Sequence, residues 1–178
     1  MKSKLIILDA DVVIHLHELG IWKDFIQKYE VHLTSIVISE CKRFKDPSLG
    51  ENSIPFEIDL DLQIENGSIY EESLDASILI DVNSKLEASK CPSKPEIHPG
   101  ELEILAFEYN KILKDCHLCI ADKGAIFAAT ILDLDDNCIS LQKALEECGL
   151  SKQVNKQFRD EWLKKWIAKA QTEKIYDL

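Results

Sequence analysis

The sequence predicts an α/β domain built on a mostly parallel central sheet. Short apolar runs rich in β-branched residues alternate along the chain with segments of helical spacing, the order that parallel sheets require. The first of these runs, residues 4–8, is continuously apolar until an acid ends it, as a strand covered by helices would be. A chain of 178 residues also suffices for one domain with its own core, without disulfide or metal staples.

Taken in order, residues 12–19 and 21–29 have helical spacing, with Gly20 as the break between them. Residues 31–34 (Val-His-Leu-Thr) alternate and form the second strand, after which Ser35 is the expected N-cap of a helix through Ile38 and Cys41. Residues 45–53 are polar and turn-like. Ile58, Leu60, Leu62 and Ile64 alternate with polar residues and predict a strand; Asn66-Gly67 marks a turn, and Ile69-Tyr70 starts another strand. Positions 74, 78, 79, 82 and 86 are spaced as in a helix, and residues 91–95 form a loop.

His98-Pro99-Gly100-Glu101 opens a strong helix whose apolar face is Leu102, Leu105, Ala106, Tyr109, Ile112 and Leu113. Residues 116–121 form a short strand closed by Asp122, residues 124–132 return to helix, and residues 139–150 hold a further one. Residues 151–172 read as one long amphipathic helix, with Phe158, Trp162, Trp166 and Ala170 on a stripe. The expected organisation is a body over residues 1–150 and a helical extension over 151–178, packed on the body or on a partner.

The formal net charge is −11, and it is uneven. Residues 151–178 hold seven Lys/Arg against four Asp/Glu, whereas residues 1–150 hold 14 against 28. An acidic body is a poor general binder of nucleic acid, but it suits a site that concentrates divalent cations. The amino-terminal apolar run is too short for a signal peptide, and no window reaches the length of a membrane span, so the expected location is the cytoplasm. Six cysteines are then expected as reduced thiols. Cys116-His117-Leu118-Cys119 has the spacing of half a zinc site, but no second pair accompanies it, and thiols turned into a buried strand are the expectation.

Four acids fall where an open parallel sheet places its ligands, beyond the carboxyl ends of the strands. Asp9 follows the first strand, Asp122 follows the strand over 116–121, Glu40 lies about one turn into the helix after the second strand, and Glu101 lies in the first turn of its helix. Two carboxylates about 4 Å apart repel by roughly 4 kcal/mol at an effective dielectric near 20. A hard divalent ion such as Mg²⁺ or Mn²⁺ reverses the sign of that interaction, polarises phosphoryl oxygens and makes water more acidic. The chemistry this implies is metal-dependent hydrolysis of a phosphodiester. Any one of these acids also has an ordinary structural role to play, Asp11 and Asp122 as N-caps and Glu101 as an acid favoured by the helix dipole.

The same residues resemble a known family, the PIN-domain nucleases. Residues 8–14 (Leu-Asp-Ala-Asp-Val-Val-Ile) look like the opening motif of that family, and residues 37–40 (Val-Ile-Ser-Glu) like its second acidic motif. Residues 99–106 (Pro-Gly-Glu-Leu-Glu-Ile-Leu-Ala) resemble the Gly-Glu motif that opens its central helix, and residues 120–125, on to Ala128-Ala129, the last acidic motif. The motifs occur in the family's order over residues 3–150; they are degenerate one by one, and their order and spacing carry the weight. The resemblance implies a three-layer α/β/α sandwich and Mg²⁺- or Mn²⁺-dependent cleavage of RNA, with Asp9, Glu40, Glu101 and Asp122 as metal ligands and catalytic residues. It further implies a toxin of a toxin–antitoxin pair or an RNA-processing enzyme, with an antitoxin or another protein, or a second copy, as partner. The sequence departs from the family pattern at Ala121, where Thr or Ser is frequent, and at Lys123, where a second Asp often stands. These departures and the acidic surface favour the alternative, a non-catalytic PIN-like interaction module.

Other residues take lesser roles. Asp11 either acts on the metal site from behind the ligands or caps the first helix. Glu103 is an alternative to Glu101 and is expected on a solvated face. His15 and His17 are expected on a helix surface, His98 in a loop, and Asp133, Asp135 and Asp136 in a solvated turn. Lys152, Lys156, Arg159, Lys164, Lys165 and Lys169 could meet RNA if the aromatic stripe of the extension is a partner surface.

Overall fold

The computed structural model describes residues 4–42, 58–89, 91 and 96–175. The polar stretch expected at 45–53 and most of the loop expected at 91–95 lie outside them. The described chain is an α/β fold with four parallel strands: β1 (Lys4–Leu8), β2 (Tyr29–Thr34), β3 (Ile69–Glu72) and β4 (Cys116–Cys119), in the order β3-β2-β1-β4. Ile6 pairs with Val31 on one side of β1 and with His117 on the other. Helices flank this sheet, an arrangement compatible with an α/β/α sandwich.

The order of the strands decides where a site can form. From β1 the chain steps outward to β2 and β3, then crosses back to place β4 on the far side of β1. The connections that leave β1 and β4 therefore diverge at the carboxyl ends of the strands, the position at which open α/β sheets bind ligands. β1 is apolar throughout its buried part because both its faces are covered; Ile6, Ile7 and Leu8 are wholly enclosed.

After β1 come α1 (Ala10–Glu18) and α2 (Trp22–Lys28), separated at Gly20, whose φ of +68° is the left-handed conformation that ends a helix cheaply only in glycine. Helix α3 (Ser35–Lys42) follows β2 directly. Ser35 is its first residue and not its cap: the Thr34 hydroxyl accepts from the Val37 amide at 3.4 Å, so the last residue of the strand supplies the capping oxygen. Helices α5 (Ala76–Ala88) and α6 (Pro99–Tyr109) precede β4, and α7 (Lys123–Ile131) and α8 (Leu141–Glu147) follow it. The edge of β4 is extended by a parallel bridge from Leu118 to Cys138, with the Ile139 amide donating to the Leu118 carbonyl at 2.8 Å.

Three further expectations are corrected. The alternation at 58–64 does not make a strand: residues 58–60 lead into α4 (Asp61–Glu65). An i, i+2 pattern also contains an i, i+4 pair, and Leu60 and Ile64 use it to face the core while Leu62 is 67% exposed. The Asp59 carboxylate accepts from the Asp61 amide at 3.0 Å and starts the turn, and Lys42 pairs with Asp61 at 2.6 Å. The helix expected over 151–172 begins late: residues 151–155 are irregular, residues 156–158 form a 3₁₀ turn, and α9 spans Asp160–Ile175. The preceding segment is held across α1 by side chains. Phe158 stacks on His15 with ring centroids 4.3 Å apart, and the Asn155 amide donates to His15 Nε2 at 3.4 Å. His15 is therefore buried, not on the helix surface.

The six cysteines are free thiols. Cys116 and Cys119 are both buried in β4, and burial pushes the Cys116 thiol up to about 12. Among the described residues no helix is long and apolar enough to cross a membrane.

Candidate functional site

Asp9 leaves the carboxyl end of β1 and is the N-cap of α1, its Oδ1 accepting from the Ala10 amide at 2.7 Å. Asp122 stands in the same position after β4 and caps α7, with Oδ1 accepting from the Gly124 amide at 2.6 Å. These are the two strands whose outgoing connections diverge. Glu101 occupies the first turn of α6 and its Oε2 accepts from the His98 amide at 2.9 Å, the reciprocal half of a capping box. Glu40 sits in the last turn of α3 and reaches the same helix start: a Cβ added to Gly100 would lie 3.0 Å from Glu40 Oε2. Glycine at 100 is what lets that carboxylate approach the backbone of α6.

These acids share one electrostatic environment. Burial raises the pKa of Asp9 to about 7, with Asp11, Glu101 and Glu40 adding to the rise and the Ala10 amide opposing it. Asp11 is raised by burial and then by Asp122 and Glu18. Glu101 is raised by burial, and Asp122 and Asp11 push it further while the hydrogen bond and charge of His98 pull it back. Glu40 is raised by burial, with Asp11 and Glu103 adding and His98 opposing. The fold thus brings Asp9, Glu40, Glu101 and Asp122, with Asp11, within electrostatic range of one another from parts of the sequence more than a hundred positions apart. Asp11 is exposed in the first turn of α1 and is not its cap; Asp9 has that role.

All the donors are carboxylate oxygens, which suits a hard divalent ion and not zinc. Each of Asp9, Glu101 and Asp122 spends one oxygen on a helix-start amide and keeps the other. Among the described residues no three His, Cys, Asp or Glu side chains stand in a ready metal-ligating arrangement. Binding would therefore require the carboxylates to turn toward a common point, where their mutual repulsion rises and the cation's charge offsets it.

Glu103 differs from its expected place, while His98 lies in the loop before α6 as expected. Glu103 is buried, not solvated, and its Oε2 accepts from the Ile36 amide at 3.3 Å, which ties the start of α3 to α6. His98 is the N-cap of α6 and its charge bears on both Glu40 and Glu101. The signal for Glu103 was the uninterrupted apolar run at 104–107: α6 is buried nearly all round, so an acid on it has no solvated face to occupy. The Cys116 and Cys119 pair lies in β4 and contributes no ligand to the acidic cluster. No family model, no curated protein and no solved structure matches the chain.

Proposed function

We propose that this chain is a metal-dependent phosphodiesterase that cleaves single-stranded RNA on a PIN-like scaffold. The observation that supports it best is the mutual coupling of Asp9, Asp11, Glu40, Glu101 and Asp122 at the one place in a parallel sheet where the strand order reverses. A fold gains nothing in stability from gathering like charges, two of them (Asp9 and Glu101) buried, and this supports a ligand as the reason for the cluster. Asp9, Glu40, Glu101 and Asp122 would hold Mg²⁺ or Mn²⁺, which when bound supplies Lewis-acid polarisation of the phosphodiester and a more acidic water. The chain's own residues do the rest. Asp9 and Asp122 each give one oxygen to a helix-start amide and would turn the other toward the ion. Asp11, exposed and in the first turn of α1, would be the acid free to take up a proton. His98 sits at the rim beside Glu40 and Glu101, where an imidazolium would meet a phosphate oxygen.

Asp9→Asn and Asp122→Asn test this reading, because Asn caps a helix as well as Asp does and the fold should survive. Each should lower Mn²⁺-dependent cleavage of a fluorescent single-stranded RNA at least ~100-fold, the upper range seen even when groups that merely orient metal ligands are removed. Equal cleavage by the native and substituted chains would assign the activity to a contaminant.

The second reading is a non-catalytic PIN-like interaction module. It is favoured by the capping hydrogen bonds that already engage Asp9, Glu101 and Asp122. Calorimetric titration with Mn²⁺ separates the two: no heat of binding at millimolar metal supports the module.

A further inference from the structure

We propose that one stripe of α9 is the track along which single-stranded RNA reaches Asp122, an inference that rests on the ribonuclease reading above. Helix α9 lies along α7 and runs in the same direction. At its start the Trp162 indole N–H donates to the Ala121 carbonyl at 3.0 Å, one residue before Asp122. One turn on, Trp166 meets Phe127 with ring centroids 6.2 Å apart, and at the far end Lys174 reaches the Thr130 carbonyl at 3.0 Å and Asp133 at 2.6 Å. The hydrogen bond at Ala121 fixes the stripe beside the acidic cluster.

Positions 162, 165, 166 and 169 fall on one face of the helix. There the aromatic rings and ammonium groups interleave. Lys156 holds its Nζ 5.9 Å from the Trp162 ring centre, and Lys165 and Lys169 hold theirs 5.5 and 5.1 Å from that of Trp166. Among the described residues Lys156 and Lys165 have no carboxylate partner, and Lys169 has only a long contact of 3.8 Å to Glu173. Lys164, off the stripe, is by contrast closed onto Asp160 at 2.5 Å. Ammonium groups resting on half-buried indoles, with no close counter-ion for Lys156 and Lys165 among the described residues, are placed to exchange one weak partner for another: a base stacks on the ring while the lysine turns to the adjoining phosphate.

The charge distribution makes the same demand. Residues 1–150 carry 28 acids against 14 Lys/Arg and repel a polyanion, while residues 151–178 reverse that balance with seven against four. RNA that is to approach the carboxylates needs a cationic foothold beside them, and α9 supplies it within a turn or two of Asp122.

The test is fluorescence anisotropy with a labelled single-stranded 12-nucleotide RNA in Mg²⁺, using the full chain with Asp122→Asn to prevent cleavage. Adding Lys165→Glu and Lys169→Glu should weaken binding at least ~10-fold and make the slope of log K against log salt shallower by about 1.4, the value for two lost contacts to a single strand. Trp162→Leu should cost about 10-fold through lost stacking, and Trp162→Phe, which keeps a ring but loses the bond to Ala121, should cost less. In the otherwise native chain the lysine reversals should raise KM and leave kcat, whereas Asp122→Asn removes kcat. Unchanged Kd and KM on reversal, with native cleavage intact, overturns the track and leaves the ribonuclease standing, with α9 then a surface for something other than RNA. No cleavage by the native chain overturns the reading beneath both.

Discussion

Helix α6 carries a buried acid near each end, and the fold treats the two differently. Glu101, in the first turn, stands among Asp9, Asp11, Glu40 and Asp122. Glu108, near the last turn, stands apart from other acids of that cluster: its Oε1 accepts from Asn137 Nδ2 at 2.8 Å and its Oε2 has no partner among the described residues. Burial pushes Glu108 up to about 7, with Lys111 opposing. Asp9 also rises to about 7, but there three neighbouring carboxylates add to burial. The same pKa thus has two origins, and the origins differ in what relieves them. A proton relieves either acid; a divalent cation relieves only the cluster.

The sharpest way to break this comparison is to add the cation. If the carboxyl end of the sheet is a metal site, Mn²⁺ at about 100 times its Kd should stabilise the native chain by about 2.7 kcal/mol, which for a chain of this size is a rise in Tm of roughly 5–10 °C. Asp9→Asn and Asp122→Asn should lose most of that rise, and Glu108→Gln should keep it. Equal shifts in all three would mean that the metal binds without regard to the cluster. The affinity should also depend on pH: Asp9 must release its proton, so below about 7 binding weakens by up to ~10-fold per unit. Calorimetry at pH 6 and pH 8 reads this directly.

A smaller effect is expected from Gly100→Ala. The new methyl would lie 3.0 Å from Glu40 Oε2 and 3.3 Å from Oε1, tighter than ordinary contacts, so the carboxylate must shift by a few tenths of an ångström. The helix itself gains, since alanine is favoured over glycine in a helix by up to ~1 kcal/mol. The expected outcome is a loss of RNA cleavage of about 10-fold with Tm unchanged or raised. A variant that keeps full activity would remove Glu40 from the site, since its position would then be immaterial.

How much of this was legible in the sequence follows from the range of the forces involved. The strands at 4–8, 31–34 and 116–119 and the helices between them are set by local apolar patterning, and the α/β class follows from their alternation. Asp9, Glu40, Glu101 and Asp122 could be singled out because strand ends and helix starts are local features. What could not be read were effects of distant partners. The alternation at 58–64 resolves as a helix because Leu60 finds the core and Leu62 does not. The segment at 151–159 fails to be helical because Phe158 stacks on His15, more than 140 positions away. The apolar run at 104–107 signals that Glu103 is buried, but not that its partner is the Ile36 amide of α3.

Glu108→Gln is the most delicate of the tests and isolates the other half of the comparison. The native carboxyl is raised from about 4.5 to about 7, so between those values the folded chain holds a proton that the unfolded chain has released. Stability attributable to this group is therefore fully present below about 4.5, falls as pH rises through the window, and is lost above 7. Glutamine removes the penalty while its amide oxygen keeps the bond from Asn137. The variant should be more stable than the native chain by on the order of 1–2 kcal/mol at pH 8, and the difference should vanish near pH 4.5, as thermal melts at the two values would show. Asp9→Asn should show the same pH pattern in metal-free buffer, then fall behind the native chain once Mn²⁺ is added. Glu108→Gln should never show that reversal, because a lone acid that needs only a proton has no use for a metal.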